Sequence, residues 1–159
     1  MKDQKNQSPS ILTTMFLSWF YTGKFPKAPG TIGSLATIPL IILLHNLNIN
    51  IYSLIGLILV IFILSVIITE RVQQKYKLHD PQWIVIDEVL GMLISWAFIQ
   101  RVDFLALALV FGTFRFFDIV KIWPASYFDR MEHGFGTITD DVVSGLYSGI
   151  LSYYLLKLF

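Results

Sequence analysis

The amino-acid sequence predicts an all-α membrane protein, built from helical hairpins and a final packed helix. Hydrophobic residues make up 55% of the 159-residue chain and charged residues only 14%, and the mean hydropathy is +0.64. Soluble domains carry about 25% charged residues, so this composition favours a membrane protein. A run of nineteen residues without a charge, Ile51–Thr69, is the clearest transmembrane helix, because roughly 20 residues are needed to cross the hydrocarbon core.

Composition also limits the classes of function. At this length the chain has room for one domain, covering residues 1–159. The net charge is +1, and basic and aromatic residues do not interleave, so nucleic acid is not an expected partner. The chain has no cysteine, which excludes thiolate catalysis and disulfide bonds.

Residues 1–22 predict an amphipathic segment that lies in the membrane interface. Apolar side chains recur there at helical spacing, at Leu12, Met15, Phe16, Trp19 and Phe20. A cleaved secretory signal is not favoured, because the chain continues as TGKFPKAPG without a small-residue cleavage site.

The segment PGTIGSLA, residues 29–36, predicts a turn followed by a helix. Thr31 and Ser34 are candidate N-caps, and backbone N–H groups around Thr31, Gly33 and Ser34 would form a cradle for phosphate. An ordinary capped turn is the alternative. The apolar run that follows contains Pro39 and is short for an independent span.

Two apolar runs of eleven residues, Val89–Ile99 and Phe104–Phe114, predict a helical hairpin that other helices shield. The last helix is predicted over Thr139–Leu156. One face of it carries small residues that permit close helix approach: Ser144, Gly145, Ser148, Gly149 and Ser152. A homo-oligomer formed through this face is left open. Aromatic residues near predicted helix ends are expected to anchor the protein in the interface: Trp83, Trp96, Trp123 and Tyr127.

Charge placement predicts an orientation. If Leu35–Leu44 and Ile51–Thr69 form one hairpin and the two eleven-residue runs form another, ten of the twelve Lys and Arg residues lie on one side, with only Arg101 and Lys157 on the other. The positive-inside rule assigns the basic side to the cytoplasm. The same arrangement brings many ionisable residues to that cytoplasmic face, which predicts an active site there: Asp80, Asp87, Glu88, Arg115, Asp118, Lys121, Asp129, His133, Asp140 and Asp141.

These acids predict a magnesium site, because Mg²⁺ prefers hard oxygen ligands. The candidate ligands and catalytic acids are Asp87, Glu88, Asp118, Asp140 and Asp141. Arg115 and Lys121 flank Asp118 at a spacing of three, so both cations would bind phosphate oxygens beside the metal. Helix capping by the acid pair at 140–141, and a structural ion-paired role for the 115–121 triplet, are the alternatives.

The three histidines differ in what their positions suggest. His79 and His133 lie in polar loops, where a histidine is either an ordinary surface group or a general acid, and His133 or Asp129 is the candidate proton donor. His45 lies on the opposite side of the predicted membrane and has no expected role.

Five segments together resemble the motif blocks of the phosphatidylglycerophosphatase A family, in the family's order and spacing. They are PGTIGSLA (29–36), HDPQWIVIDEVLGM (79–92), FRFFDIVKIWP (114–124), YFDRMEHGFG (127–136) and TDDVVSGLYSGI (139–150). The resemblance implies a magnesium-dependent membrane phosphatase that removes the terminal phosphate of phosphatidylglycerophosphate in phospholipid biosynthesis, on the cytoplasmic side of the bacterial inner membrane. It also implies that functional residues lie in the DE, FRxxDxxK and DD motifs: Asp87, Glu88, Arg115, Asp118, Lys121, Asp140 and Asp141.

Two positions depart from the family pattern, and neither is a candidate ligand. Ile122 replaces the first proline of KPWP, and Phe135 stands where a second glycine is common. We expect direct attack by water rather than a phosphoaspartate intermediate, because the DxDx segment of haloacid-type phosphatases is absent. The alternative function is a small ion-coupled transport or scaffold protein whose acids bind a cation, although Arg115 and Lys121 would oppose cation entry.

Overall fold

The computed structural model describes residues 8–78 and 81–158, and within these ranges it contains seven α-helices and no strand. The all-α prediction is therefore confirmed. In chain order the helices are α1 (Ile11–Leu17), α2 (Pro29–Asn46), α3 (Ile51–Tyr76), α4 (Ile86–Ala97), α5 (Phe104–Val120), α6 (Ala125–Asp129) and α7 (Gly134–Leu156). A short 3-10 helix, Thr22–Lys24, precedes α2.

Helix α4 forms the centre of the bundle. Nine of its twelve residues are buried, and α2, α3, α5 and α7 all pack against it. A helix of this length is about 18 Å long, too short to cross a membrane alone, and its neighbours shield it as the sequence predicted. Trp96 near its end is buried, and its indole N–H donates to the carbonyl of Arg101 at 3.1 Å. The prediction that Trp96 is an interfacial anchor is therefore wrong, because the indole is satisfied inside the protein.

Among the residues that the structure describes, two helices, α2 and α3, are long and apolar enough to cross a membrane. Helix α3 has 26 residues and a length of about 39 Å, and it exposes large apolar side chains such as Leu59, Val60 and Ile63. It continues without a break beyond Thr69 into a charged last turn. Helix α2 runs through Pro39 to Asn46.

The N-terminal helix is shorter than the apolar spacing suggests. Helix α1 ends at Leu17, and Trp19 and Phe20 lie beyond it with positive φ angles of 44° and 56°. Leu17 is fully buried, and its carbonyl accepts a hydrogen bond from Val85 N at 2.9 Å. This contact attaches the N-terminal segment to the chain that enters α4.

The small-residue face of α7 packs inside the protein. The Ser148 hydroxyl lies 2.6 Å from the hydroxyls of both Ser95 in α4 and Thr113 in α5. At Gly145 an added Cβ would lie 2.6 Å from the carbonyl oxygen of Gly91, so the α4 and α7 backbones approach closely. This face is occupied by α4 and α5 and is not exposed for an oligomer contact.

Candidate active site

A cavity of about 720 Å³ opens at one end of the helical bundle. It is lined by the start of α2, the end of α3, the start of α4 and the end of α5. The segment between α3 and α4, the segment after α6 and the first two turns of α7 complete the wall. Seven of the candidate site residues line it together with His133: Asp87, Glu88, Arg115, Asp118, Lys121, Asp140 and Asp141. Helices far apart in the sequence therefore bring the predicted residues to one place. His79 and Asp80 lie outside the described residues.

Three carboxylates form the centre of this site. Ligand oxygens of Asp87, Glu88 and Asp141 all lie within 4.8 Å of one another. Asp87 and Glu88 are in the first turn of α4, and the Asp87 carboxylate accepts the N–H of Glu88 at 3.1 Å. Asp141 is buried on α7. Within the described part of the chain, Glu88 Oε2 is buried and has no hydrogen-bond partner, so it remains available to a ligand.

The electrostatics of these acids reflect burial and crowding. Burial raises the pKa of Asp87, and the charge of Glu88 raises it further. Burial likewise raises the pKa of Glu88 to about 7. Burial raises the pKa of Asp141 as well, with the neighbouring Asp118 and Asp87 adding to the effect. Crowded acids with raised pKa values favour a proton or a metal cation among them.

Two cations stand beside the carboxylates. Arg115 Nη1 lies 2.5 Å from Asp118 Oδ2, one helical turn away on α5. Lys121 Nζ pairs with Asp140 Oδ2 at 2.7 Å and also with Asp129. Partial burial lowers the pKa of Lys121, but the charges of Asp140 and Asp129 outweigh it and raise the value overall. Lys121 is therefore a permanent cation at the cavity wall.

The i,i+3 ion-pair interpretation describes only part of the 115–121 triplet. Arg115 does pair with Asp118, but Lys121 pairs across the cavity with α6 and α7 instead. Helix α5 ends at Val120, and Lys121 has a positive φ of 47°. This conformation turns the chain out of the helix, so Lys121 does not continue the helical face that its spacing suggested.

The capping interpretation of Asp140 and Asp141 is excluded by the position of α7. The helix begins at Gly134 rather than near Thr139, and its first turn contains no acidic residue. The two acids lie in the second turn, where both are buried. Asp140 faces Lys121 and lies outside the close group of three, whereas Asp141 belongs to it.

The helix start at α2 differs from the prediction. The helix begins at Pro29, so its N-cap is Ala28, and the prediction of Thr31 or Ser34 as N-cap is wrong. The buried hydroxyl of Ser34 donates to Gly30 O at 2.8 Å. Gly33 packs against the side chain of Val85. Thr31, Gly33 and Ser34 do not line the cavity.

Gly30 lines the site instead of these three residues, and the sequence analysis did not identify it. It lines the cavity with Ala28 and Pro29, and an added Cβ there would overlap Glu88 Oε1 and lie 3.2 Å from Arg115 Nη1. The start of α2 therefore meets the acids and the arginine directly. The Pro-Gly pair at the helix start was the only sequence signal for this contact.

Glu70 is a second residue that sequence reasoning did not assign to the site. Its carboxylate accepts the backbone N–H of Gly134 at 2.7 Å and lies 3.6 Å from His133 Nδ1. Its position directly after the uncharged run of α3 was the available signal, because an acid at a membrane boundary is costly unless it has a function. His133 itself lines the cavity, and its side chain is 63% exposed.

Comparison with known proteins gives a consistent assignment. A family model described as phosphatidylglycerophosphatase A matches residues 15–156. A Haemophilus influenzae protein named phosphatidylglycerophosphatase A is 37% identical over 134 residues, covering 83% of this chain and 81% of that protein. An Escherichia coli protein of the same name is 35% identical over 137 residues, covering 86% of this chain and 78% of that protein. No solved structure matches the chain.

Proposed function

Because the chain belongs to the phosphatidylglycerophosphatase A family, we propose that it hydrolyses phosphatidylglycerophosphate to phosphatidylglycerol and inorganic phosphate. The observation that supports this most strongly is a single cavity where three close carboxylates meet Arg115 and Lys121. A phosphomonoester needs both kinds of group, since its oxygens require cations and an activated water requires an acceptor for its proton. We place the reaction in phospholipid biosynthesis, at the cytoplasmic face of the bacterial inner membrane.

Magnesium is the cofactor that the acids fit best. In octahedral coordination with bonds of 2.0 to 2.1 Å, two ligand oxygens are at most about 4.2 Å apart. The oxygens of Asp87, Glu88 and Asp141 lie within 4.8 Å of one another, so small side-chain movements would bring them to one ion. The unpartnered Glu88 Oε2 supplies a free ligand atom. We assign Asp87, Glu88 and Asp141 as ligands, with Asp118 and Asp140 close by.

The charged side chains of the site have different roles in hydrolysis. Bound magnesium would polarise the phosphate and lower the pKa of a coordinated water. Arg115 and Lys121 bind the non-bridging phosphate oxygens and stabilise the charge that redistributes in the transition state. Asp118 and Asp140 hold these two cations toward the cavity through their ion pairs. Burial of the site limits competition from bulk water, which strengthens each of these interactions.

The position of the cavity suits a lipid substrate. It opens at the end of the bundle where the apolar helix α2 begins and the apolar helix α3 ends. Ile119 lines the cavity and is 72% exposed, and Phe116 one turn earlier is 54% exposed. These apolar side chains would contact the lipid surface while the headgroup enters the polar cavity. The acyl chains would then remain in the membrane during the reaction.

Phosphate release from phosphatidylglycerophosphate by the purified protein in detergent tests the proposal. We expect release with magnesium, none with a chelator, and a loss of at least 100-fold in Asp87→Asn. Asp103→Asn is the matched control, because Asp103 caps α5 and is not among the residues that line the cavity, and asparagine is an equally good N-cap. Release that persists with chelator, or an equal loss in both variants, would contradict the proposal.

A further inference from the structure

The beginning of α7 is attached to α3 through Glu70. One carboxylate oxygen of Glu70 accepts the N–H of Gly134 at 2.7 Å, and the other accepts the side-chain amide of Gln74 at 2.6 Å. An added Cβ at Gly134 would lie 2.9 Å from Val66 O, so the two helices are in backbone contact here. Glu70 thus holds the start of the helix that carries Asp140 and Asp141.

His133 occupies a backbone conformation that L-residues rarely adopt. Its φ and ψ angles are 93° and 160°, a region that is almost exclusive to glycine. Gly134 is the next residue and Gly136 lies three positions after His133, yet neither has a positive φ. The one position in this turn that favours glycine therefore carries an imidazole. Such strain persists where the surrounding contacts impose it, and it is concentrated at functional sites.

The contact with Glu70 sets the direction of this imidazole. His133 Nδ1 lies 3.6 Å from Glu70 Oε1, within ion-pairing distance. When one ring nitrogen of a histidine faces a carboxylate, that nitrogen carries its proton toward the carboxylate, and the other nitrogen is left for a second partner. His133 lines the cavity, so Nε2 is the atom available to the substrate.

The other candidate proton donors at this rim are already engaged. Asp129 and Asp140 both pair with Lys121, so their carboxylates already face a cation. Hydrolysis of an alkyl phosphate needs a proton for the departing oxygen, because an alkoxide is a poor leaving group. A protonated imidazole at His133, which lines the cavity, can supply it.

We propose that Glu70 and His133 form a dyad in which Glu70 is a positioning residue and His133 is the general acid. This rests on the proposed function. In the step, the water oxygen forms a bond to phosphorus as the bond from phosphorus to the glycerol oxygen breaks. The glycerol oxygen keeps the electron pair of that bond and takes the proton from His133 Nε2. The water loses one proton to a carboxylate of the site, and solvent returns a proton to the imidazole.

The dependence of the rate on the leaving group tests the dyad. The two substrates are phosphatidylglycerophosphate and a lipid analogue in which a lipid-linked nitrophenol replaces the terminal glycerol, so that the phosphate remains a monoester and the nitrophenolate departs without a proton. On the natural substrate we expect kcat to fall about 100-fold in His133→Ala and at least tenfold in Glu70→Gln. On the nitrophenyl analogue both variants should retain at least a third of the wild-type kcat. Glu70→Gln keeps an oxygen to accept the Gly134 N–H, so the fold is preserved, and Arg71→Gln is the control on the same helix.

A second variant separates chemistry from folding. In His133→Gly the backbone strain is released, so the unfolding temperature should equal or exceed that of the wild type while kcat on the natural substrate falls. Equal losses on both substrates in His133→Ala and Glu70→Gln, or full activity in His133→Gly, would overturn the dyad. Hydrolysis of neither substrate by the wild type would instead contradict the proposed function itself.

Discussion

At the scale of single residues, the site depends on acids that outnumber their basic partners. Arg115 pairs with Asp118, and Lys121 pairs with Asp140 and Asp129. No ion pair neutralises Asp87 or Glu88 within the described ranges, 8–78 and 81–158. Topology and spacing were enough to predict that these acids lie in one site, because the hairpin arrangement places the helix ends that carry them on the same side of the membrane. Gly30 and Glu70 were missed although each had a sequence signal, because their contacts depend on distances between helices that no spacing records.

Gly30 gives a prediction at this scale. In Gly30→Ala the new methyl group would overlap Glu88 Oε1 and approach Arg115, so the Glu88 carboxylate must move away from Asp87 and Asp141. We expect phosphate release to fall at least tenfold and the apparent magnesium affinity to weaken. Gly56→Ala is the control, since nothing lies within 4 Å of a Cβ there. An active Gly30→Ala protein with unchanged magnesium dependence would show that Glu88 is not a ligand.

At the scale of helices, α7 organises the bundle through its small residues. The repeat of serine and glycine every four residues correctly indicated close packing, but it did not identify the partner. That partner is α4 and α5, through Ser95, Thr113 and the backbone of Gly91. The starts of α2 and α7 were misplaced because capping residues were sought among Thr and Ser, whereas the structure starts these helices after Ala28 and His133 with no side-chain cap.

The contact between α4 and α7 predicts which glycines tolerate substitution. Gly145→Ala should lower the free energy of unfolding by about 1 to 3 kcal/mol, because its Cβ would lie 2.6 Å from Gly91 O. Gly112→Ala in α5 has open space around it and should be neutral or stabilise the protein by up to about 1 kcal/mol, through helix propensity. Thermal unfolding in one detergent measures both. Equal stability of the two variants would contradict the packing described here.

At the scale of the whole molecule, the fold brings five helix ends and two connecting segments to a common cavity. Charge asymmetry predicted that the ionisable residues would gather at one end, and the lining of the cavity agrees with this placement. The sequence predicted that other helices would shield α4 but not which helices, because a run of eleven apolar residues is compatible with several arrangements. Its burial depends on contacts with helices from the rest of the chain.

Orientation in the membrane gives a prediction at this scale. The chain has no cysteine, so single cysteines can be labelled without background. Lys27 is exposed next to the cavity, and Asn46 is exposed at the far end of α2. In right-side-out vesicles an impermeant maleimide should label Asn46→Cys and not Lys27→Cys, because we place the cavity in the cytoplasm. Inside-out vesicles should give the reverse pattern, and the opposite result in both would contradict the orientation.

The most direct test of the metal site is a calorimetric titration of inorganic phosphate into the detergent-purified protein, with and without magnesium. We expect phosphate to bind only when magnesium is present, because the acids of the site repel an anion until a cation neutralises them. Asp141→Asn should abolish this coupling, since Asp141 belongs to the close group of three acids. Phosphate binding that is independent of magnesium, or magnesium binding that is unchanged in Asp141→Asn, would contradict the assignment. Magnesium binding that requires Asp141 but is indifferent to phosphate would instead favour a cation-binding transport protein.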